Sequence, residues 1–406
     1  MRALVAVTAL LVSPQVLLMA PTSANAVHVR IAVGDGPKEI AINRAGTFAY
    51  VANYFSDSVS RINLATNAVN ATISVGDGPD NIAINPAGTF AYVVNYESDT
   101  VSRINLATNT RDATIPVGDE PGQIAINPTG TFAYVVNHES DTVSRIKLAT
   151  NTVDATISVS DGPTGVAINP AGTFAYILNE VTSGDNLGSG TVSKLNLATN
   201  RVDDTITGVN ESGSIAINPA GTFAYVTSWG TGTVLRINLA TNRVDATIAV
   251  GDRPIGIAIN PAGTFAYVTN FDSDTVSKVD LVTNTVKAII TGVYGPEEIA
   301  LNPMGTFAYV AESMGDMVAR ISLTISAPEL RVKRSIPAKL IAAYAALPMK
   351  EGATLSLRVG TSSTKFCRVS GINLIGVRVG PCNVTVTMKP RVGKLISRPV
   401  TLSVTK

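Results

Sequence analysis

The 406 residues are 45% hydrophobic and 15% charged, a balance that excludes an intrinsically disordered chain. The net charge of +1 conceals an asymmetry, because residues 27–326 hold 16 basic and 28 acidic side chains whereas residues 327–406 hold 14 and 2. Segments of opposite charge indicate separate domains with different electrostatic partners. With only two histidines, a histidine-rich metal site or a bis-histidine haem is excluded.

The N-terminal residues have the pattern of a secretory signal peptide at residues 1–26. Arg2 precedes an apolar run over residues 3–20, and Ala24-Asn25-Ala26 fits a small-residue cleavage site, so we expect cleavage after Ala26. A membrane anchor is the alternative, although Pro14 and its polar neighbours interrupt the run. No later stretch is long and apolar enough to span a bilayer. We therefore expect a secreted or cell-surface protein, periplasmic if the host has an outer membrane.

A repeat organises residues 27–326. The sequence Gly-Thr-Phe-Ala-Tyr occurs seven times at spacings of 42, 42, 42, 49, 42 and 42 residues, starting at Gly46, Gly88, Gly130, Gly172, Gly221, Gly263 and Gly305. Each copy holds four short runs rich in β-branched and aromatic residues, separated by turn residues. Prolines and glycines at the same points of every copy argue against a helical solenoid. Four antiparallel strands per period predict one blade of a β-propeller.

The second copy shows the predicted strands, which are Ile82–Asn85, Thr89–Asn95, Val101–Leu106 and Asp112–Val117. The segment from Val29 aligns with the fourth strand of the repeat, and the last copy stops after its third strand. We therefore expect the N-terminal strand to complete the seventh blade and close the ring, which removes an open sheet edge. The predicted fold is an all-β seven-bladed propeller followed by a small antiparallel β-sandwich.

The end of each second strand carries a short motif. Tyr92–Asn95 and Tyr134–Asn137 read Tyr-Val-Val-Asn, and Tyr267–Asn270 reads Tyr-Val-Thr-Asn. These segments resemble the signature of the YVTN-type seven-bladed propellers, which occur among exported bacterial proteins and archaeal surface-layer proteins. The resemblance covers about residues 27–323 and implies the fold, but it says little about function because the family includes proteins with no established activity. Two copies depart from the signature Asn, with Ser228 and Glu312 in its place.

Positions that differ between copies are the candidate binding residues. The residue after each signature position, expected on one rim of the propeller, is Tyr54, Tyr96, His138, Glu180, Trp229, Phe271 or Ser313. The loops from each fourth strand to the next first strand are predicted on the same rim, and they contribute Glu39, Asp80, Gln123, Glu297 and Glu298. The two sets predict an acidic, aromatic rim that binds a protein or a glycan, with local packing as the alternative. Such a rim argues against nucleic-acid binding.

Catalysis is the alternative to binding. The resemblance extends to propellers that are lactonases, lyases and oxidoreductases, and His138 is the one rim histidine, which makes it the single catalytic candidate. No nucleophile–base pair, phosphate loop or metal-ligand spacing is evident. We therefore expect a monomeric binding or scaffold protein without cofactor or metal. A basic residue on each third strand is predicted to be structural, and a seven-residue insertion lies between Glu180 and Gly190.

The C-terminal segment differs from the repeat. A linker is predicted at residues 327–340 and a small basic domain at 341–406, with strands at Thr354–Val359, Lys365–Val369, Leu374–Val379, Asn383–Met388 and Val400–Val404. The sequence around Cys367 and Cys382 resembles bacterial immunoglobulin-like surface domains. In an exported protein this lone cysteine pair predicts a disulfide. The basic charge predicts contact with anionic cell-wall polymers or with the acidic propeller.

Overall fold

The computed structural model describes residues 29–180 and 190–323, together with a set of strands between residues 330 and 405. Two compact units divide the chain, and the boundary follows Leu323. The first unit consists of seven four-stranded antiparallel sheets, here called blades, and a one-turn 3-10 helix at Tyr54–Ser56. None of the described helices is long and apolar enough to cross a membrane. The first strands of neighbouring blades contact each other all the way round, so the prediction of an all-β seven-bladed propeller is confirmed.

Strand β1 is Val29–Ala32. Blade 1 contains β2 (Pro37–Ile42), β3 (Phe48–Asn53), β4 (Ser58–Asn63) and β5 (Ala68–Ser74). Blade 2 contains β6 (Pro79–Ile84), β7 (Phe90–Asn95), β8 (Thr100–Asn105) and β9 (Thr110–Pro116). Blade 3 contains β10 (Pro121–Ile126), β11 (Phe132–Asn137), β12 (Thr142–Lys147) and β13 (Thr152–Ser158). Blade 4 contains β14 (Pro163–Ile168), β15 (Phe174–Glu180), β16 (Gly190–Asn196) and β17 (Arg201–Thr207).

Blade 5 contains β18 (Ser212–Ile217), β19 (Phe223–Ser228), β20 (Thr233–Asn238) and β21 (Arg243–Ala249). Blade 6 contains β22 (Pro254–Ile259), β23 (Phe265–Asn270), β24 (Thr275–Asp280) and β25 (Thr285–Thr291). Blade 7 contains β26 (Pro296–Leu301), β27 (Phe307–Glu312) and β28 (Met317–Ser322), with β1 as its fourth strand. The seven-residue insertion of blade 4 falls within residues 181–189, which lie outside the described residues.

The first strand of each blade begins earlier than the sequence predicted. In blade 2 the predicted start was Ile82, but β6 starts at Pro79, and its pairing with β7 shifts register between Pro79 and Asn81. A bulge of this kind interrupts the alternation of apolar and polar residues by which a strand is recognised in a sequence. Proline is tolerated as the first residue of a strand because its missing N–H is not needed there. Asp80 and its counterparts therefore lie in the innermost strands and not, as predicted, in connecting loops.

The core is built between blades rather than within them. Tyr50 of blade 1 is buried against Ile82 and Val93 of blade 2, and the same packing recurs around the ring. The basic residue of each third strand lies over the Phe of its own blade, with the Arg103 guanidinium 4.3 Å from the Phe90 ring centre. These repeated contacts show why the recurring residues are scaffold.

Blade 7 uses the start of the chain as its outer strand. β1 pairs antiparallel with β28, with Val29 opposite Arg320 and Ala32 opposite Met317. The Arg30 Nε atom lies 2.8 Å from Glu312 Oε2, and the Glu312 side chain is only 1% exposed. Glu312, which stands at the signature Asn position, does not contribute to an acidic rim, because its carboxylate is turned inward to meet Arg30.

The second unit is described through its strands. They are β29 (Leu330–Arg331), β30 (Ser335–Pro337), β31 (Thr354–Val359), β32 (Cys367–Ser370), β33 (Asn373–Gly376), β34 (Gly380–Lys389) and β35 (Ile396–Thr405). One sheet has the order β29-β35-β34-β31 and another has the order β30-β33-β32. Cys367 and Cys382 lie on strands of different sheets, but their side chains are outside the described residues. The disulfide, the sandwich and the immunoglobulin-like assignment stay predictions.

Candidate functional site

One rim of the propeller carries all seven predicted rim positions. In each of them the backbone N–H donates to a carbonyl oxygen of the loop that enters the same blade, at an N···O distance of 2.8–3.2 Å. The seven donors are Tyr54, Tyr96, His138, Glu180, Trp229, Phe271 and Ser313. These hydrogen bonds join each turn between second and third strands to the loop beside it. The side chains after the signature motif therefore do lie on one rim.

An aspartate clasp joins each of five turns to the loop of the next blade. In the turn between β3 and β4, Asp57 Oδ1 accepts the N–H of Gly78 at 3.0 Å. The same hydrogen bond, at 2.8–2.9 Å, is accepted by Asp99, Asp141, Asp274 and Asp316. Because each clasp ties one blade to the start of its neighbour, it closes the rim between them.

Blade 5 lacks the clasp. Gly232 stands where the five clasped turns have aspartate, so the N–H of Arg253 has no carboxylate partner in this turn. The corresponding turn of blade 4 lies outside the described residues. A groove of about 690 Å³ opens at this point, within the size range of small-ligand sites. Its lining includes Ser212, Trp229, Thr231, Arg253 and Asp272. We call it the Trp229 groove, after the indole, which is 40% exposed.

Two polar groups in the Trp229 groove lack strong protein partners. Ser212 replaces the proline with which the other six first strands begin. Its side chain is only 3% exposed, and its hydroxyl has no hydrogen-bond partner. Arg253 makes only a long contact to Asp272, at 3.7 Å, while its guanidinium lies 4.7 Å from the Phe271 ring centre. The Ser212 hydroxyl is enclosed, so the groups of the groove that a ligand can reach are the Trp229 indole and the half-exposed Arg253 and Asp272.

The aromatic residues of blades 1 and 2 are arranged differently. The rings of Tyr54 and Tyr96 lie 6.4 Å apart, and their hydroxyls donate to Glu97 at 3.0 Å and to Glu120 at 2.5 Å. Burial and the hydrogen bond to Glu97 raise the pKa of Tyr54 to about 12. The predicted aromatic platform is therefore divided. The two tyrosines are committed to carboxylates, and Trp229 remains accessible.

The predicted acidic residues meet at the mouth of the central channel. Glu39, Asp80, Glu297 and Glu298, here called the carboxylate cluster, lie on first strands, and their charges help to raise the pKa of Glu39, Asp80 and Glu298. Lys38 Nζ lies 3.1 Å from Glu297 Oε1, and Asn81 donates to Glu39 Oε2 at 2.9 Å. Gln123, also predicted, lines a channel cavity of about 170 Å³ together with Asp80, Glu297 and Glu298, and it accepts the N–H of Val166 at 3.2 Å.

Burial raises the pKa of three members of the carboxylate cluster. It raises the pKa of Asp80 to about 6, with Glu297 adding to the rise and Lys38 opposing it. It raises the pKa of Glu298 to about 7, against a hydrogen bond from Ser214. Burial, reinforced by the charge of Glu298, also holds the pKa of Glu39 well above its ordinary value. Carboxyl groups that titrate near neutrality can both donate and accept protons there.

His138 lies on the rim of blade 3 and does not line the channel cavity. One ligand atom each of His138, Glu120 and Glu139 lies within 4.8 Å of the others. Glu180 is the next rim residue, and burial raises its pKa while His138 opposes the rise. The sequence interpretation missed Glu120, because it occupies a loop position where most copies have glycine.

The chain matches the sequence profile of the family described as "Lactonase, 7-bladed beta-propeller" over residues 13–115 and 123–288, more than half of its length. The chain belongs to this family. None of the curated proteins matches it. Among solved structures, it is similar to the hydrazine synthase of Kuenenia stuttgartiensis, with 22% sequence identity and a TM-score of 0.66 over 76% of this chain and 99% of that one. A likeness at this identity shows the shared fold and nothing about the reaction.

Proposed function

We propose that the propeller is a binding module that takes a glycan in the Trp229 groove. The observation that carries this proposal is the juxtaposition, in one groove, of the accessible Trp229 indole with Arg253 and Asp272, whose charged groups are half exposed. A sugar ring offers C–H groups that pack on an aromatic face and hydroxyls that bond to side chains beside it. Arg253 and Asp272, which hold each other only weakly, supply a donor and an acceptor for further hydroxyls.

Titration calorimetry with soluble cello- and chito-oligosaccharides tests the proposal. Trp229→Ala should lower the affinity about tenfold, because an aromatic stacking contact contributes on the order of 1.4 kcal/mol. The matched control is Phe55→Ala, which removes a ring that is 75% exposed on the rim of blade 1 and does not line the groove. Equal affinities of the two variants, or no binding by the unaltered protein, would contradict the proposal.

The cellular setting is part of the same proposal. A signal peptide ending at Ala26 would deliver the protein to the cell exterior, where a disulfide between Cys367 and Cys382 would be stable. The excess of basic residues beyond residue 327 suits an anionic cell-wall polymer. Binding of full-length protein to isolated walls should fall steeply as salt rises, whereas salt-independent binding would contradict the electrostatic version.

Lactone hydrolysis is the second candidate, favoured by the carboxylate cluster and by the family to which the chain belongs. Asp80, with its pKa of about 6, would accept a proton from water as the water oxygen attacks the lactone carbonyl. Glu298, with its pKa of about 7, would protonate the ring oxygen as the acyl C–O bond breaks, giving a hydroxy acid. No step uses His138, the residue that the sequence suggested.

A pH-stat assay with γ- and δ-lactones tests this second candidate. Activity should be highest between pH 6 and 7, where Asp80 is ionised and Glu298 still holds its proton. Asp80→Asn and Glu298→Gln should each abolish turnover, and His138→Ala should retain it. Loss of turnover in His138→Ala with activity in Asp80→Asn would move the site to the outer rim.

A further inference from the structure

We propose that Glu120, His138 and Glu139 form a binding site for a divalent transition-metal ion, for which Zn²⁺ is the best match. An imidazole nitrogen and two carboxylate oxygens lie within 4.8 Å of one another. Zn²⁺ binds such atoms at about 2.0–2.2 Å, which requires ligand atoms about 3.5 Å apart. Small side-chain rotations would bring the three atoms to that separation. The site lies on the rim of blade 3 and lines neither the Trp229 groove nor the channel cavity.

Backbone hydrogen bonds hold two of the ligands in place. The carbonyl of Glu120 accepts the N–H of His138 at 3.0 Å, and the N–H of Glu120 donates to the clasp residue Asp99 at 2.9 Å. The loop that carries Glu120 and the turn that carries His138 and Glu139 are thus joined to each other without an ion. This arrangement reduces the loss of conformational entropy that would otherwise accompany metal binding.

Tyr96 orients the Glu120 carboxylate. Its hydroxyl donates to Glu120 Oε2 at 2.5 Å, and Glu120 Oε1 has no hydrogen-bond partner among the described residues. One oxygen is therefore held by the protein while the other remains available to an ion. Hydrogen-bonded partners behind a ligand are a regular feature of metal sites in proteins.

The backbone of Glu120 is left-handed, with φ of 48°, a conformation in which a side chain other than glycine is strained. The equivalent positions are Gly36, Gly78, Gly162 and Gly295 in four blades, and Glu211 and Arg253, each with φ of 49°, in blades 5 and 6. The strain is therefore shared with those two blades and does not by itself single out blade 3. At this point in blade 3 the carboxylate stands beside one of only two histidines in the chain.

The ligand set selects the class of ion. One imidazole nitrogen with two carboxylate oxygens suits Zn²⁺ and similar first-row ions, with water completing the coordination. Ca²⁺ takes six to eight oxygen ligands and gains nothing from imidazole. Binding should therefore depend on His138 and should favour Zn²⁺ over Ca²⁺.

Calorimetry with ZnCl₂ and untagged protein, in a non-chelating buffer, tests the site. We expect one ion per chain, with the affinity reduced about tenfold or more in His138→Ala and in Glu120→Gln, and by a smaller factor in Tyr96→Phe. Glu97→Gln is the matched control and should bind as the unaltered protein does, because Glu97 is the blade 2 counterpart of Glu139 and accepts the Tyr54 hydroxyl.

Two further measurements keep the result unambiguous. His28→Ala, which removes the other histidine, should leave Zn²⁺ affinity unchanged, and circular dichroism should show that each variant is folded. The absence of Zn²⁺ binding, unchanged affinity in His138→Ala, or Ca²⁺ binding of equal strength would overturn the assignment.

Discussion

Gly232→Asp should restore the missing clasp between blades 5 and 6. Gly232 has a φ of 63°, and the five aspartates that form clasps have φ between 47° and 52°, so an aspartate can take up the backbone conformation of this turn. A Cβ atom added to Gly232 would lie 3.2 Å from the Gly251 carbonyl oxygen, a tight contact that asks for a small shift. The new carboxylate would then face the N–H of Arg253.

The expected stabilisation is small. A hydrogen bond to a charged acceptor contributes about 1.5 kcal/mol at the lower end of its range, which is appropriate for a solvent-exposed rim. Replacing glycine also reduces the freedom of the unfolded chain by about 0.5 kcal/mol, whereas the left-handed conformation costs about 1 kcal/mol. The net gain in unfolding free energy is about 1 kcal/mol, or about 2 °C in Tm for a domain of this size.

Differential scanning calorimetry of Gly232→Asp, Gly232→Ala and the unaltered protein separates these contributions. The alanine variant bears the same backbone strain without an acceptor, so the aspartate variant should be more stable than it by about 1.5 kcal/mol. The aspartate variant should also bind oligosaccharides less well, since the clasp would narrow the groove. If the aspartate variant is no more stable than the alanine variant, clasps do not close the rim and the explanation of the groove is wrong.

Three other substitutions test the scaffold and the channel. Arg30→Met should lower the unfolding free energy by about 3 kcal/mol, because the buried Glu312 carboxylate then keeps only the Tyr294 N–H as a partner. The double variant Arg30→Met, Glu312→Asn should recover most of that loss when unfolding is measured in urea. The raised pKa of Glu298, about 7, gives a stabilisation that is complete below its ordinary value of 4.5 and is lost as pH rises through 7. Thermal unfolding of Glu298→Gln should therefore depend less on pH between 5 and 8. Asn95→Ala removes buried hydrogen bonds to its own hairpin and to the preceding loop, so urea unfolding should show a loss of about 2 kcal/mol, and an unchanged midpoint would refute a structural role for the signature.

The repeat made the fold predictable because each copy states the same pattern again. Runs such as Thr89–Asn95 and Val101–Leu106 agree with β7 and β8 to within one residue. The first strand was misplaced because its bulge breaks the alternation on which the prediction rests, which put Asp80 in a loop. Its position in the channel depends on contacts between first strands of different blades, and a single copy contains no trace of those contacts.

The groove and the metal cluster were harder to predict for different reasons. The groove lies where Gly232 provides no carboxylate for a clasp. The sequence alone does not show that an aspartate at this position would form a hydrogen bond to the next blade, as it does in other turns. The cluster depends on Glu120 and His138, which are separated in the sequence but joined by a backbone hydrogen bond on the rim. A comparison of the copies held no clear signal for Glu120, since its position is glycine in four blades but Glu211 or Arg253 in two others. The distinguishing feature of blade 3 was the histidine at position 138.

The clasps also determine where the ring would open first. The ring closes inside blade 7, where β1 pairs with β28 and Arg30 meets Glu312. The Asp316 clasp, at 2.9 Å, ties that blade to the loop that enters blade 1. The seam between blades 5 and 6 is covalently continuous, yet it lacks the carboxylate that ties the turn to the next loop. Under tension or thermal fluctuation, the amide protons beside Gly232 should exchange with solvent sooner than those beside Asp316. Among the joints whose turns the structure describes, the one expected to open first is thus an uninterrupted stretch of chain, and it coincides with the groove proposed to receive the ligand.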